Sequence, residues 1–91
     1  MTGEKILTQH PLGKQGKTIS KQNYELITQT ITEILRNNEL THTELVNQVT
    51  ERLKGEFSEN ISWYTMTVKL DMEARKIIER TSSKPQKYRL R

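Results

Sequence analysis

The chain has 91 residues, 32% of them apolar and 29% charged, with a net charge of +4 and a mean hydropathy of −0.82. That length allows one small domain and leaves no room for a second core or a large substrate cleft. Cysteine is absent and no apolar run exceeds two residues, as at Ile77-Ile78. Disulfide frameworks, thiolate metal sites, membrane-spanning helices and secretory signals are therefore excluded, and a soluble cytoplasmic domain is expected.

The charge is segregated. Residues 21–60 carry four basic and seven acidic side chains, whereas residues 61–91 carry eight basic and three acidic. Such an imbalance creates a local positive potential able to attract a polyanion.

Residues 1–18 mix Gly3, Pro11, Gly13 and Gly16 with polar residues and read as an extended N-terminal arm, leaving a single domain over 19–91. Ile6, Leu7 and Leu12 are the apolar residues with which the arm could anchor. Three helices follow, each opened by a hydroxyl residue behind an apolar one: Ile19-Ser20, Leu40-Thr41 and Ile61-Ser62. The first runs over 21–37 and carries Tyr24, Ile27, Ile31, Ile34 and Leu35 on one stripe. The second runs over 42–54, with Leu45, Val46, Val49 and Leu53 as its buried face and Gly55 as its stop. Thr41 and Glu44 have the spacing of a reciprocal capping box. The third covers 62–75.

The period then changes. Residues 76–81 read as a strand, 82–86 with Pro85 as a turn, and 87–91 as a half-buried alternating strand. A two-stranded ribbon is barely stable alone and must pack on the helices. Helix, helix, helix, strand, turn, strand is the order of a winged helix-turn-helix, mainly α with a C-terminal β-hairpin wing.

The chain resembles a family of small, functionally uncharacterised bacterial proteins with a winged-helix fold. The resemblance rests on His10-Pro11-x-Gly13-Lys14, Tyr24, Trp63-Tyr64, Val68-Lys69-Leu70-Asp71-x-Glu73-Ala74-Arg75 and Lys84-Pro85. It implies the fold and carries no activity. More loosely, Met72 to Arg80 is similar to the segment leading into the wing of many winged-helix regulators. Lys76 stands where those often carry glycine, which argues against a tight glycine C-cap there.

By analogy with winged helices, Tyr64, Val68 and Met72 face inward. Trp63, Met66, Thr67, Leu70, Asp71 and Ala74 then fall on the face that would enter a major groove. Thr67, Lys69, Arg75, Arg80, Lys84, Lys87 and Arg89 are the candidate contacts to double-stranded DNA. Trp63, Met66 and Leu70 are poor base readers and suit a covered surface or a protein partner. Either the arm folds back over Trp63 and Leu70, or a second chain covers them. The leading expectation is a nucleic-acid-binding module such as a small transcriptional regulator. The alternative is a protein-interaction or homodimerisation module.

Gly13-Lys14-Gln15-Gly16-Lys17-Thr18 superficially suggests a phosphate loop, but its glycine spacing is too short and no strand precedes it. His10 and His42 lack partners at metal spacing, with His10 expected to shape a turn and His42 to be solvated. Ser62 reads as a cap. Asp71 and Glu73, two apart on a helix, do not face each other, and Lys69 has the spacing to support Glu73. No nucleophile, base and orienting group stand together, so no enzyme, cofactor, metal or small-molecule substrate is expected.

Overall fold

The computed structural model describes residues 4–14, 16–57 and 59–91. Parts of the arm, of the glycine-lysine stretch and of the polar connection before the third helix lie outside them. Seven elements occur in the order β1 (Lys5–Leu7), β2 (Thr18–Ser20), α1 (Lys21–Leu35), α2 (His42–Leu53), α3 (Ile61–Ala74), β3 (Ile78–Arg80) and β4 (Tyr88–Leu90). The described residues are mainly helical, with two small antiparallel strand pairs.

The helix starts follow local chemistry. Ser20 Oγ accepts from the Asn23 amide at 3.1 Å, and Thr41 and Glu44 close the expected capping box. The third start differs from expectation. Asn60, not Ser62, caps α3 by accepting from the Trp63 amide at 2.9 Å. Both side chains can cap, and Asn60 in extended backbone begins the helix one residue earlier. Helix α1 ends two residues before its expected limit, where Asn38 Nδ2 donates to the orphan Ile34 carbonyl at 2.8 Å.

At the end of α3, Lys76 adopts φ 68° in place of a glycine. The Ile77 amide donates to Met72 O at 2.9 Å and the Lys76 amide to Glu73 O at 3.1 Å. This is the paired arrangement of a Schellman cap, here closed by a lysine held in left-handed backbone. The tight cap that the missing glycine argued against therefore forms.

The core gathers Ile27, Ile31, Ile34 and Leu35 from α1, Leu45, Val49 and Leu53 from α2, and Val68 and Met72 from α3. Ile19, Ile78 and Tyr88 join it from the strands. In the C-terminal hairpin Ile78, Glu79 and Arg80 pair with Leu90, Arg89 and Tyr88. The other edge of β4 is held as well, since Leu40 and Tyr88 exchange backbone hydrogen bonds at 3.1 and 2.7 Å. The C-terminal hairpin is thus tied, at the turn-proximal end of β4, to the segment joining α1 and α2.

The N-terminal segment is not simply extended. Lys5, Ile6 and Leu7 pair antiparallel with Ser20, Ile19 and Thr18. The Thr8 amide reaches Lys17 O at 2.8 Å, and Lys17 N donates to Thr8 Oγ1 at 2.8 Å. Gly16 permits this approach, because a Cβ there would collide with the Thr8 carbonyl. Each three-residue strand is too short for periodicity to reveal, and Ile19-Ser20 carries the stronger signal of a helix start.

Candidate functional site

Helix α3 is enclosed more completely than a groove-reading helix would be. Val68 and Met72 are fully buried as expected, and Thr65, Thr67, Lys69 and Asp71 are buried too. Tyr64 is half-buried and meets Phe57 and Trp63 edge-to-face, with ring centroids 5.2 and 5.0 Å away.

The residue that organises this region is Asp71, whose side chain is 0% exposed. Its Oδ1 accepts from the Gln9 amide at 2.8 Å and its Oδ2 from the Tyr24 hydroxyl at 2.5 Å. Arg75 Nε lies 3.0 and 2.9 Å from the two oxygens. One carboxylate thus joins the N-terminal hairpin, α1 and α3. Burial, then the hydrogen bond to Asp71, holds the Tyr24 hydroxyl above its ordinary pKa. The same carboxylate raises Arg75 through its hydrogen bond. A buried charge is tolerated because its acceptor sites are filled and its countercharge is adjacent.

With the hairpin latched there, an open cleft of about 90 Å³ remains between it and α3. Trp63, Met66, Thr67 and Leu70 line it from α3, and Thr8, Gln9, His10, Gly16 and Lys17 from the hairpin. The arm therefore lies alongside Trp63 and Leu70 without covering them, and not through its expected apolar anchors: Leu7 and Leu12 are 60% and 75% exposed, and Thr8, Gln9 and His10 line the cleft instead. Trp63 and Leu70 are half-buried and Met66 is 40% exposed. His10 shapes its turn as expected, with Nδ1 accepting from the Leu12 amide at 3.1 Å.

The candidate nucleic-acid residues are not brought together on one open face. Thr67 and Lys69 are 6% and 4% exposed. Lys69 does not support Glu73; its ammonium lies 3.9 Å from the centroid of the Tyr88 ring. Glu73 instead holds Arg80, with Nε to Oε2 at 2.5 Å, and this bond raises the Arg80 pKa. Arg75 is engaged by Asp71, and Arg89 bridges Glu79 at 2.8 Å and Glu39 at 3.0 Å. Bonds to Glu79 and then Glu39 raise Arg89. Lys84 is exposed and Lys87 half-buried in the β3–β4 connection, and neither forms an ion pair among the described residues.

His42 is not simply solvated. Its ring is half-buried, and Nδ1 is enclosed without a hydrogen-bond partner. Burial first, and the nearby Lys69 charge second, push its pKa down. Among the described residues no His, Asp and Glu cluster fits a metal ion, and no helix is long and apolar enough to cross a membrane.

The Asp71 latch is what reading the sequence missed. The i, i+4 spacing of Asp71 and Arg75 was visible, but Tyr24 and Gln9 lie 47 and 62 positions away.

These features define a three-helix domain carrying two small β-hairpins, the first locked onto α3 by a buried carboxylate. The chain belongs to a family of unknown function (DUF6958), whose model matches residues 5–88. No curated protein and no solved structure matches it.

Proposed function

We propose that the chain is a winged helix-turn-helix module that binds the phosphate backbone of double-stranded nucleic acid through its two hairpins, without reading bases through α3. The element order and the pairing of β4 with the α1–α2 connection at Leu40 support the fold reading.

One observation carries the functional reading. Of the eight cations without a carboxylate partner among the described residues, six lie on and beside the hairpins, Lys5, Lys14 and Lys17 at one and Lys76, Lys84 and Lys87 at the other, while Arg36 ends α1 and Lys69 is enclosed against Tyr88. The acids without a cationic partner, Glu25, Glu44, Glu56 and Glu59, lie elsewhere, on α1, on α2 and between α2 and α3. The N-terminal hairpin is fixed to α3 at Asp71 and the wing at Glu73 through Arg80. Residues two apart on a helix point in nearly opposite directions, so the two hairpins flank the end of α3. Lysines act as point charges that neutralise phosphates without specifying sequence.

Fluorescence anisotropy with labelled duplexes of differing sequence tests this. Affinity is expected to be nearly sequence-independent and to fall with salt at a log–log slope of about −0.9 per phosphate contact. Replacing Lys84 and Lys87 together by alanine reduces that slope by about 1.8 if each makes one contact. Absence of binding at low salt overturns the reading.

A further inference from the structure

We propose that the cleft between the N-terminal hairpin and α3 is a docking site for an acidic peptide segment that inserts one large apolar side chain. The cleft and its rim loop share Lys17 and Lys14 with the proposed nucleic-acid surface but none of the wing lysines, and this inference does not depend on nucleic-acid binding.

The floor sets the anchor chemistry. Trp63, Met66 and Leu70 stand at i, i+3 and i+7, forming one apolar stripe along α3. A space of about 90 Å³ corresponds to roughly three waters at about 30 Å³ each, on the scale of a single apolar side chain. Water over such a floor finds few partners, so its release favours an apolar occupant. The rim is built in advance. Gln9 is pinned to Asp71, Thr8 and Lys17 bond each other, and Gly16 sits against the Thr8 backbone. A rim held open in this way spares a ligand the cost of ordering it.

Charge complementarity identifies what accompanies the anchor. No carboxylate lines the cleft among the described residues, whereas Lys17 lines it and Lys14 lies in the same loop. The nearest acid along α3, Asp71, is already neutralised by Arg75. Carboxylates flanking the anchor therefore meet cations only. A backbone flanking the anchor also places carboxylates beside Lys17, which a compact apolar molecule cannot do. An inserted nucleobase, by contrast, would leave its polar edges against apolar side chains.

Trp63 is the only tryptophan, so its fluorescence reads the cleft directly. The probe is the blocked peptide acetyl-Glu-Glu-Phe-Glu-Glu-amide, titrated into the full chain to about 5 mM, a ceiling suited to a single-anchor contact. The expected result is a saturable Trp63 shift, weakened about tenfold or more when the anchor is alanine and about two- to fivefold when the flanks are glutamine. Met66→Glu, at an exposed floor position, abolishes the response while circular dichroism and the melt stay at wild type. Lys17→Glu weakens it, and replacing Lys84 and Lys87 leaves it unchanged. No saturable shift, or equal responses to the phenylalanine and alanine peptides, overturns the proposal. Equal responses to glutamate and glutamine flanks overturn its acidic part. A single-stranded oligonucleotide that quenches Trp63 and displaces the peptide reassigns the cleft to base stacking.

Discussion

Removing the Asp71 carboxylate is the sharpest test of how the N-terminal hairpin is held. In Asp71→Ala the Gln9 amide and the Tyr24 hydroxyl lose their acceptor, and the Arg75 charge loses its partner. Breaking a buried charge pair costs about 3–5 kcal/mol. Arg75 keeps a side chain 37% exposed and can return to water, which places the expected loss near the lower end, about 3 kcal/mol. For a domain of this size that lowers Tm by about 12–24 °C. Urea unfolding followed by Trp63 fluorescence and by circular dichroism gives the value, and amide exchange locates it. Protection at Gln9 should vanish first, with the core amides of α1 keeping the residual global stability. A variant within about 1 kcal/mol of wild type, with Gln9 still protected, would refute the latch; that threshold is what one ordinary hydrogen bond contributes.

The remaining predictions concern core, caps and titration. Ile31→Ala and Val49→Ala, both at fully buried positions, should each cost on the order of 2–4 kcal/mol, whereas exposed Lys84→Ala should leave the melt unchanged. Lys76→Gly relieves left-handed strain of about 1–2 kcal/mol but gives the unfolded chain more freedom, for a net gain of about 0.5–1 kcal/mol by denaturant midpoint. A destabilised Lys76→Gly would contradict the strained cap. Gly16→Ala should cost on the order of 2 kcal/mol and abolish amide protection at Thr8 and Lys21, since the Thr8 backbone cannot yield to the new methyl. The depressed His42 pKa means that the unfolded chain binds the proton more readily. Its contribution is therefore present above pH 6.5 and lost as the pH falls from there through the lower folded value. His42→Gln should flatten the fall in urea midpoint over that window, and an unchanged profile would show that another group titrates there.

Much of the local architecture was legible because its causes are local. Ser20 and Thr41 cap helices by accepting from amides three residues ahead, and the stripe Ile27, Ile31 and Ile34 states which face of α1 is buried. The change of period after Arg75 likewise marked the C-terminal hairpin, although its strands are shorter than the expected 76–81 and 87–91, because Lys76 closes the cap of α3. Asn60 and Ser62 illustrate the limit: both can cap, and only backbone conformation selects between them.

The sequence by itself determined three helices, the N-caps of the first two, most of the core and a basic C-terminal ribbon, since each depends on neighbours within a turn or a strand. Tertiary structure decided which charges remain available. Asp71 is buried because an amide and a hydroxyl remote in sequence converge on it, and Lys69 is enclosed because Tyr88 arrives from the last strand. It also decided that the N-terminal segment lies against Trp63 and Leu70. Charge and spacing along a chain specify what a side chain can bind; only packing determines whether its partner is solvent or another part of the same molecule.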